Sequence, residues 1–469
     1  MNSPDKIIFL RWLGTSAGLL VAVIVLAGCK GIPTQGERSA RKDARAVAQV
    51  FRPDGQRPAL PELSTNSALG DFLRYAMLNQ PQVEAAYFDW RAAVERITVE
   101  RSLPDPRLTF QTDIADIVMS LMPGLMVDIP GPGKLKWAAN VATAESQGRY
   151  FQFEASVLQT AFAVKKAYYQ LYFLEDRIRV NQQTLALLTE VEKLARAQNG
   201  VGKGTLQDVL RAQIEQERLV TEITNLEDSR NALLEQFKAA LGLTPDQAAP
   251  PVPNQFESTS LDLTSDQLLA TALARNPRLK AMEAEVRRAE ASLRLAYKAR
   301  VPDFNFGIEA DVKASPLFFR PQAGMTLPIW RDKIAAQIAG AQAMKSAATA
   351  RLTAEQIMLA VDFAEKSFMY REANRNVQLL QNSLLSKARQ SLEAGRAGYT
   401  AGTVEFINFI DAERTLLEFQ LQEVAARTQR ELALAELSLL IVGVPPTGAP
   451  VLDPAQSELK PNTPNSKAK

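Results

Sequence analysis

Residues 133–198 contain no proline and only two glycines, Gly133 and Gly148, and this 66-residue stretch constrains the fold more than any other feature of the chain. At about 1.5 Å per residue, a helix of that length is roughly 100 Å long, several times the width of a small domain. Its apolar residues Tyr150, Phe153, Val157, Val164, Tyr168, Leu171, Ile178, Leu185 and Leu188 step by threes, fours and sevens. That is the narrow seam of a coiled coil, not a broad core-facing stripe. Residues 332–394 repeat the design over 63 residues, with no proline and Gly340 as the only glycine. The chain therefore holds two long rods, and its function is to be sought at their ends.

The first 29 residues have another character. Lys6 and Arg11 precede an uncharged apolar run over residues 12–26, which ends in Leu26-Ala27-Gly28-Cys29. This is similar to the signal and lipobox of bacterial lipoproteins, with residues 1–28 removed and Cys29 carrying the lipid. A plain signal peptide or an anchor helix is the alternative. The anchor is the weaker of the two, because the run falls short of the ~20 residues a spanning helix needs. Cys29 is the sole cysteine, so no structural disulfide forms.

Charge and residue content exclude several classes of function. Basic and acidic residues number 54 and 52, which removes any general argument for a nucleic-acid partner. Histidine is absent and the one cysteine is committed to lipid, so Ser-His or Cys-His catalysis and the preferred transition-metal ligands are lacking. Methionines could hold a soft metal, yet Met119, Met122, Met325, Met344, Met358 and Met369 sit at strand or helix positions where packing is the commoner use. With no phosphate or dinucleotide fingerprint either, the reading is no enzyme, no cofactor and no metal site.

Landmarks recur at a near-constant offset. Pro81 and Pro277 are 196 apart, Pro104 and Pro302 are 198 apart, as are Pro130 and Pro328, and Gly242 and Gly443 are 201 apart. Gly204-Thr205 likewise pairs with Gly402-Thr403 at 198. The chain is thus two copies of one unit. After the signal come a tether (29–66), extended by its glycine, proline and charge, a first repeat (67–243), a proline-rich connector (244–264), a second repeat (265–443) and a disordered tail (444–469).

Each copy reads helix, strand, strand, long helix, turn, helix. In the second, Phe304, Phe306, Ile308, Ala310 and Val312 alternate with Asn305, Gly307, Glu309, Asp311 and Lys313, and the return strand sets Phe319, Pro321, Ala323, Met325 and Leu327 against Arg320, Gln322, Gly324 and Thr326. The first copy offers Leu108, Phe110, Thr112 and Ile114, returning through Leu125, Val127 and Ile129. Runs of ~10 alternating residues fit transmembrane strands. A soluble hairpin with one buried apolar face fits them as well. Four strands cannot close a barrel, and lipid does not tolerate an open edge, so membrane-spanning strands require the chain to oligomerise.

The duplication, the strand-to-helix junctions Ile129-Pro130-Gly131-Pro132-Gly133-Lys134-Leu135 and Leu327-Pro328-Ile329-Trp330-Arg331-Asp332-Lys333, and the interhelical turns at 201–213 and 401–413 together resemble the TolC family of outer-membrane efflux ducts. The resemblance implies a mainly α fold with a β-barrel part. The rods form a periplasmic α-barrel, and four transmembrane strands per chain complete a 12-stranded barrel in a homotrimer. It further implies a passive channel in the bacterial outer membrane, docking with a periplasmic adaptor and an inner-membrane pump that exports metal ions or small toxic compounds. The lipobox and junction resemble the branch serving resistance-nodulation-division pumps. A type I protein secretion duct shares the fold, and a lipid-anchored coiled-coil spacer is the alternative of a different class.

The candidate site residues lie at the turns. Gly200, Gly202 and Gly204, like Gly395, Gly398 and Gly402, are read as reversing the chain through positive φ, and Thr205 and Thr403 as capping the returning helices. Asp208 and Arg211 are three apart, as are Asn408 and Asp411, so each pair shares a helical face. By resemblance, Asn408 and Asp411 line the periplasmic entrance, where the family is commonly acidic at both positions and Asn408 departs from it. A solvated charged face is the other reading. Asp208 and Arg211 of one turn and Asp411 and Glu413 of the other are the groups expected to latch the entrance. The lipobox yields the first prediction: Cys29→Ser abolishes incorporation of a radioactive fatty acid, and label persisting in the variant contradicts the assignment.

Overall fold

The computed structural model describes residues 32–114, 118–254, 256, 265–314 and 316–441. The signal, Cys29, the tail and much of the connector lie outside the described residues. The first element, α1 (Gln35–Phe51), replaces part of the expected extended tether. Thr34 caps it, its Oγ1 accepting the Glu37 N–H at 3.1 Å. Contacts distant in sequence hold this polar helix. Glu37 is 1% exposed, paired with Arg101, and accepts from the Thr98 hydroxyl at 2.7 Å. Phe51 is fully buried, its ring 4.9 Å from Tyr87 and 5.7 Å from Phe153.

Helices α2 (Leu69–Asn79) and α3 (Pro81–Arg101) break at Gln80, where Pro81 starts the second without a needed N–H. After the first hairpin comes α4 (Lys134–Gly200), 67 residues in one helix, and then α5 (Leu206–Leu241). The second copy repeats the order with α6 (Ser265–Arg275), α7 (Pro277–Tyr297), a hairpin, and α8 (Arg331–Leu379). A π turn over Leu380–Leu384 leads into α9 (Leu385–Ala401), and α10 (Phe406–Leu440) returns. The second rod is the longer: Pro328 to Gly402 is 74 residues and Pro130 to Gly202 is 72. The π turn accommodates one of the extra two, because its i→i+5 bond closes one residue later than an α turn.

Of the seam residues on α4, Phe153, Val157, Val164, Tyr168, Leu171, Ile178 and Leu188 are buried, as the stepping requires. The rods pack laterally in the order α5, α4, α10, α8. At the two edges the pattern changes: Leu206, Leu210, Ile214 and Val220 of α5 are exposed, as are Met344, Ile357, Met358, Val361, Phe368, Met369 and Leu379 of α8. Most of the methionines expected to pack are therefore exposed within a single chain. Met122 is buried, whereas Met325, Met344, Met358 and Met369 are exposed within their own chain, Met369 accepting from Lys366 Nζ at 3.9 Å.

The four strands β1 (Arg107–Ile114), β2 (Val118–Ile129), β3 (Phe304–Asp311) and β4 (Phe318–Met325) form one antiparallel sheet in that order. The two copies join at β2 and β3, where Gly124 opposes Glu309 and Ile129 opposes Phe304. Along β3 the burial is inverted relative to a soluble hairpin. Phe306 and Ile308 are 48% and 49% exposed, whereas Glu309 and Asp311 are 3% and 8% exposed. Glycines on the polar face make room for this: a Cβ on Gly124 would lie 2.5 Å from Glu309 Cγ, and one on Gly324 would lie 2.4 Å from Asn305 Oδ1.

Candidate functional site at the helical tips

The reversal from α4 to α5 rests on Gly202, whose φ of 73° is unstrained only without a Cβ. Thr205 caps α5 as expected. Its Oγ1 accepts the Asp208 N–H at 3.3 Å, and Asp208 Oδ2 accepts the Thr205 N–H at 3.0 Å. This reciprocal capping box occupies the Asp208 carboxylate at the positive end of the helix dipole. Asp208 is thus committed to its own turn.

The second turn is built differently. Gly402 has a φ of 78° and takes the place of Gly202, so the two tips are related by 200 residues and not by the 198 of the shared Gly-Thr dipeptide. Thr403 does not cap α10: its hydroxyl donates back to the Gly398 carbonyl at 3.1 Å, and Glu405 holds the cap position without a side-chain bond. Gly395 and Gly398 sit inside α9, not in the turn. There a Cβ on Gly395 would lie 3.5 Å from the Phe409 backbone and one on Gly398 would lie 2.4 Å from Val404 Cγ2. Gly200 ends α4, and Gly204 permits close approach, its Cβ position lying 3.1 Å from Gln198 Cβ. Only Gly202 and Gly402 among the six turn glycines have positive φ.

An apolar cluster fixes which side chains face outward. Leu188, Val191, Ala195, Val209, Ala212, Leu219, Tyr399, Phe406, Phe409 and Ile410 pack together, with the Tyr399 and Phe409 rings stacked at 5.9 Å. Burying Phe406, Phe409 and Ile410 leaves Asn408 and Asp411 exposed on one face of α10. Arg211 is half-buried on α5. The structure does not join the expected latch: among the described residues, no hydrogen bond or ion pair links Arg211 or Asp208 to Asp411 or Glu413. A cross-hairpin ion pair lies further along, where Arg414 pairs with Glu215 on α5, and Glu215 also meets Arg218 at 3.3 Å. Glu413 is buried, and its Oε1 has no hydrogen-bond partner. Its acid is pushed up to about 7, chiefly by burial, then by the neighbouring Glu215, against the opposing pull of Arg414. A groove of about 920 Å³ between α4, α5 and α10 includes Arg177, Glu215, Arg218 and Arg414 in its lining.

Sequence reading missed Glu215, Arg414 and Tyr399. Tyr399 has a buried hydroxyl without a partner, and its acidity is weakened by burial and then by the Asp208 charge. No motif marks these residues. The only signal was Glu413, an ionisable residue on the core-facing side of an amphipathic helix.

The chain belongs to the outer membrane efflux protein family, whose model matches residues 73–243 and 268–443. This places it with efflux proteins and not with enzymes. Among relatives, the cobalt-zinc-cadmium resistance protein CzcC of Cupriavidus metallidurans is 21% identical over 261 residues, 55% of this chain and 62% of its own length. The pyoverdine export outer membrane protein OpmQ of Pseudomonas putida is 23% identical over 288 residues, 59% of this chain and 60% of its own length. The chain therefore spans less than two thirds of the length of both relatives. Solved structures share the fold. The outer-membrane channel OprN has a TM-score of 0.69 at 15% identity, covering 80% of this chain and 89% of its own. CusC also scores 0.69 at 15% identity, covering 83% and 98%. VceC of Vibrio cholerae scores 0.67 at 16% identity, covering 80% and 95%.

The unequal caps yield a prediction. Thr205→Ala should lower the local stability of the first tip by about 1 kcal/mol. Thr403→Ala should change the second by less than about 0.5 kcal/mol. Amide exchange at Asp208 and Asn408 checks both, with about fivefold faster exchange at Asp208 expected for the first variant only.

Proposed function

We propose that the protein is a passive outer-membrane duct of a tripartite efflux system, anchored by lipid at Cys29 and assembled as a homotrimer. It receives metal ions or small toxic compounds from an inner-membrane pump through a periplasmic adaptor. The observation that carries this reading is the inverted sheet, with Phe306 and Ile308 outward and Glu309 and Asp311 inward. Such a face suits lipid outside and water inside. No helix among the described residues is long and apolar enough to cross a membrane, so the strands are the spanning candidates.

The edges support closure into a ring. The sheet ends in β1 of the first copy and β4 of the second. The rod layer ends in α5 of the first copy and α8 of the second, both apolar and exposed. Head-to-tail joining of identical chains satisfies both layers at once, because each edge of one kind meets an edge of the other. At the tips, Asn408 and Asp411 are proposed to line the entrance, with Thr205 and the turn glycines Gly202, Gly204 and Gly402 shaping it. The substrate class rests on two relatives named for different cargo, one for cobalt, zinc and cadmium resistance and one for pyoverdine export.

Mass measurement in detergent should give three chains, and a monodisperse monomer with full strand content contradicts the closed barrel. Three Asp411 carboxylates around a narrow opening favour cations. Asp411→Asn should therefore reduce cation selectivity in planar bilayers, and unchanged reversal potentials in a salt gradient remove Asp411 from the entrance.

A further inference from the structure

Beside the apolar cluster that joins the two hairpins at their tips, an ion pair and a buried acid lie side by side between α5 and α10. Arg414 on α10 reaches Glu215 on α5, and Glu413, the residue before it, is 3% exposed with an unbonded Oε1. Glu215 is itself only 9% exposed. Two carboxyl groups therefore share one seam, and Arg414 is the cation between them. Removing one charge from water without a partner is costly, and two like charges side by side add to the cost.

The surrounding charges do not relieve Glu413. On α5, Arg218 already faces Glu215. On α4, Glu192 accepts from Arg196 at 2.7 Å and from Gln213 at 2.8 Å. On α9, Lys387, Arg389, Glu393 and Arg396 are exposed, while Ala388 is buried and Leu392 half-buried on the packed side. Arg414 is the nearest source of compensation, and Glu215 holds it.

We infer that Glu215, Arg414 and Glu413 form a proton-controlled clasp between the two hairpins, closed when Glu413 is protonated and loosened when it ionises. This rests on the duct reading above and adds a regulatory element to its tip. A protonated Glu413 is neutral and leaves Arg414 to Glu215. An ionised Glu413 competes for Arg414 and repels Glu215, and parting α5 from α10 lets water reach both carboxylates.

The direction of the pH dependence follows. In the closed seam the Glu413 acid stands near 7, raised from 4.5 by burial and then by Glu215. In a parted, hydrated seam it returns to the ordinary range. Below that range both states carry the proton and pH has no effect. Between it and about 7 the closed state holds a proton that the parted state releases, so closure is lost as pH rises. The ratio of open to closed grows up to tenfold per pH unit for each titrating subunit, and it levels off above about 7.

The full-length protein in planar bilayers tests this, with conductance read from about pH 5 to about pH 8. Wild type should conduct more as pH rises and then reach a plateau. Glu413→Gln should stay low across the range, and Arg414→Gln should conduct at every pH. The infrared carbonyl band of a protonated carboxylic acid, taken as wild type minus Glu413→Gln, should disappear with a midpoint between the ordinary 4.5 and about 7. Equal pH profiles in wild type and Glu413→Gln overturn the clasp, as does a difference band already lost near pH 4.5. Absence of current from wild type at every pH overturns the duct reading instead, so the two failures are distinct.

Discussion

A β-sheet whose outer face is apolar and whose inner face carries charge has no resting place in water, and in lipid it cannot leave backbone groups at its edges unpaired. The sheet here meets both conditions. Phe306 and Ile308 are exposed, Glu309 and Asp311 are buried, and among the described residues β1 and β4 have no second strand neighbour. Every other part of the molecule can be read as serving that constraint. In the proposed ring, the exposed apolar edges of α5 and α8 would be the surface along which copies join, and the duplication would supply complementary edges at both levels.

Sheet and rods are coupled at the junction. Asp303 Oδ1 accepts from the Gly131 N–H at 2.7 Å and from Lys134 Nζ at 2.7 Å, tying the start of β3 to the start of α4. A Cβ on Gly131 would lie 2.3 Å from the Pro302 carbonyl oxygen, so the two copies touch backbone to backbone there. The far end of the rods lacks this tie to the sheet. At that end the apolar cluster around Tyr399, Phe406 and Phe409 gives way to a seam of charged groups.

Most of the fold was legible because it is periodic. The seam residues of α4 and the alternation of β3 depend on local spacing, and the prolines and glycines mark both copies. What was hidden depends on contacts between distant residues. Helix α1 has too few apolar positions to announce itself, and its buried Glu37 makes sense only beside Thr98 and Arg101. The shared Gly-Thr dipeptide misled the alignment of the tips, since positive φ at Gly202 and Gly402 sets the true equivalence and leaves Thr403 without a cap to make. Asp208 and Arg211 shared a face as expected, yet capping claimed the Asp208 carboxylate. Arg414 and Glu215, 199 residues apart, could be paired only once the hairpins were seen side by side.

The inverted sheet is the central claim, and adjacent strand positions test it directly. A nitroxide label placed at position 308 and, in a second protein, at position 309, each in a Cys29→Ser background reconstituted in lipid, reports which face meets the bilayer. The label at Ile308 should be relaxed by oxygen dissolved in the lipid, while the label at Glu309 should be relaxed by a water-soluble paramagnetic ion. The opposite pattern, or oxygen access at neither position, would contradict a lipid-facing sheet.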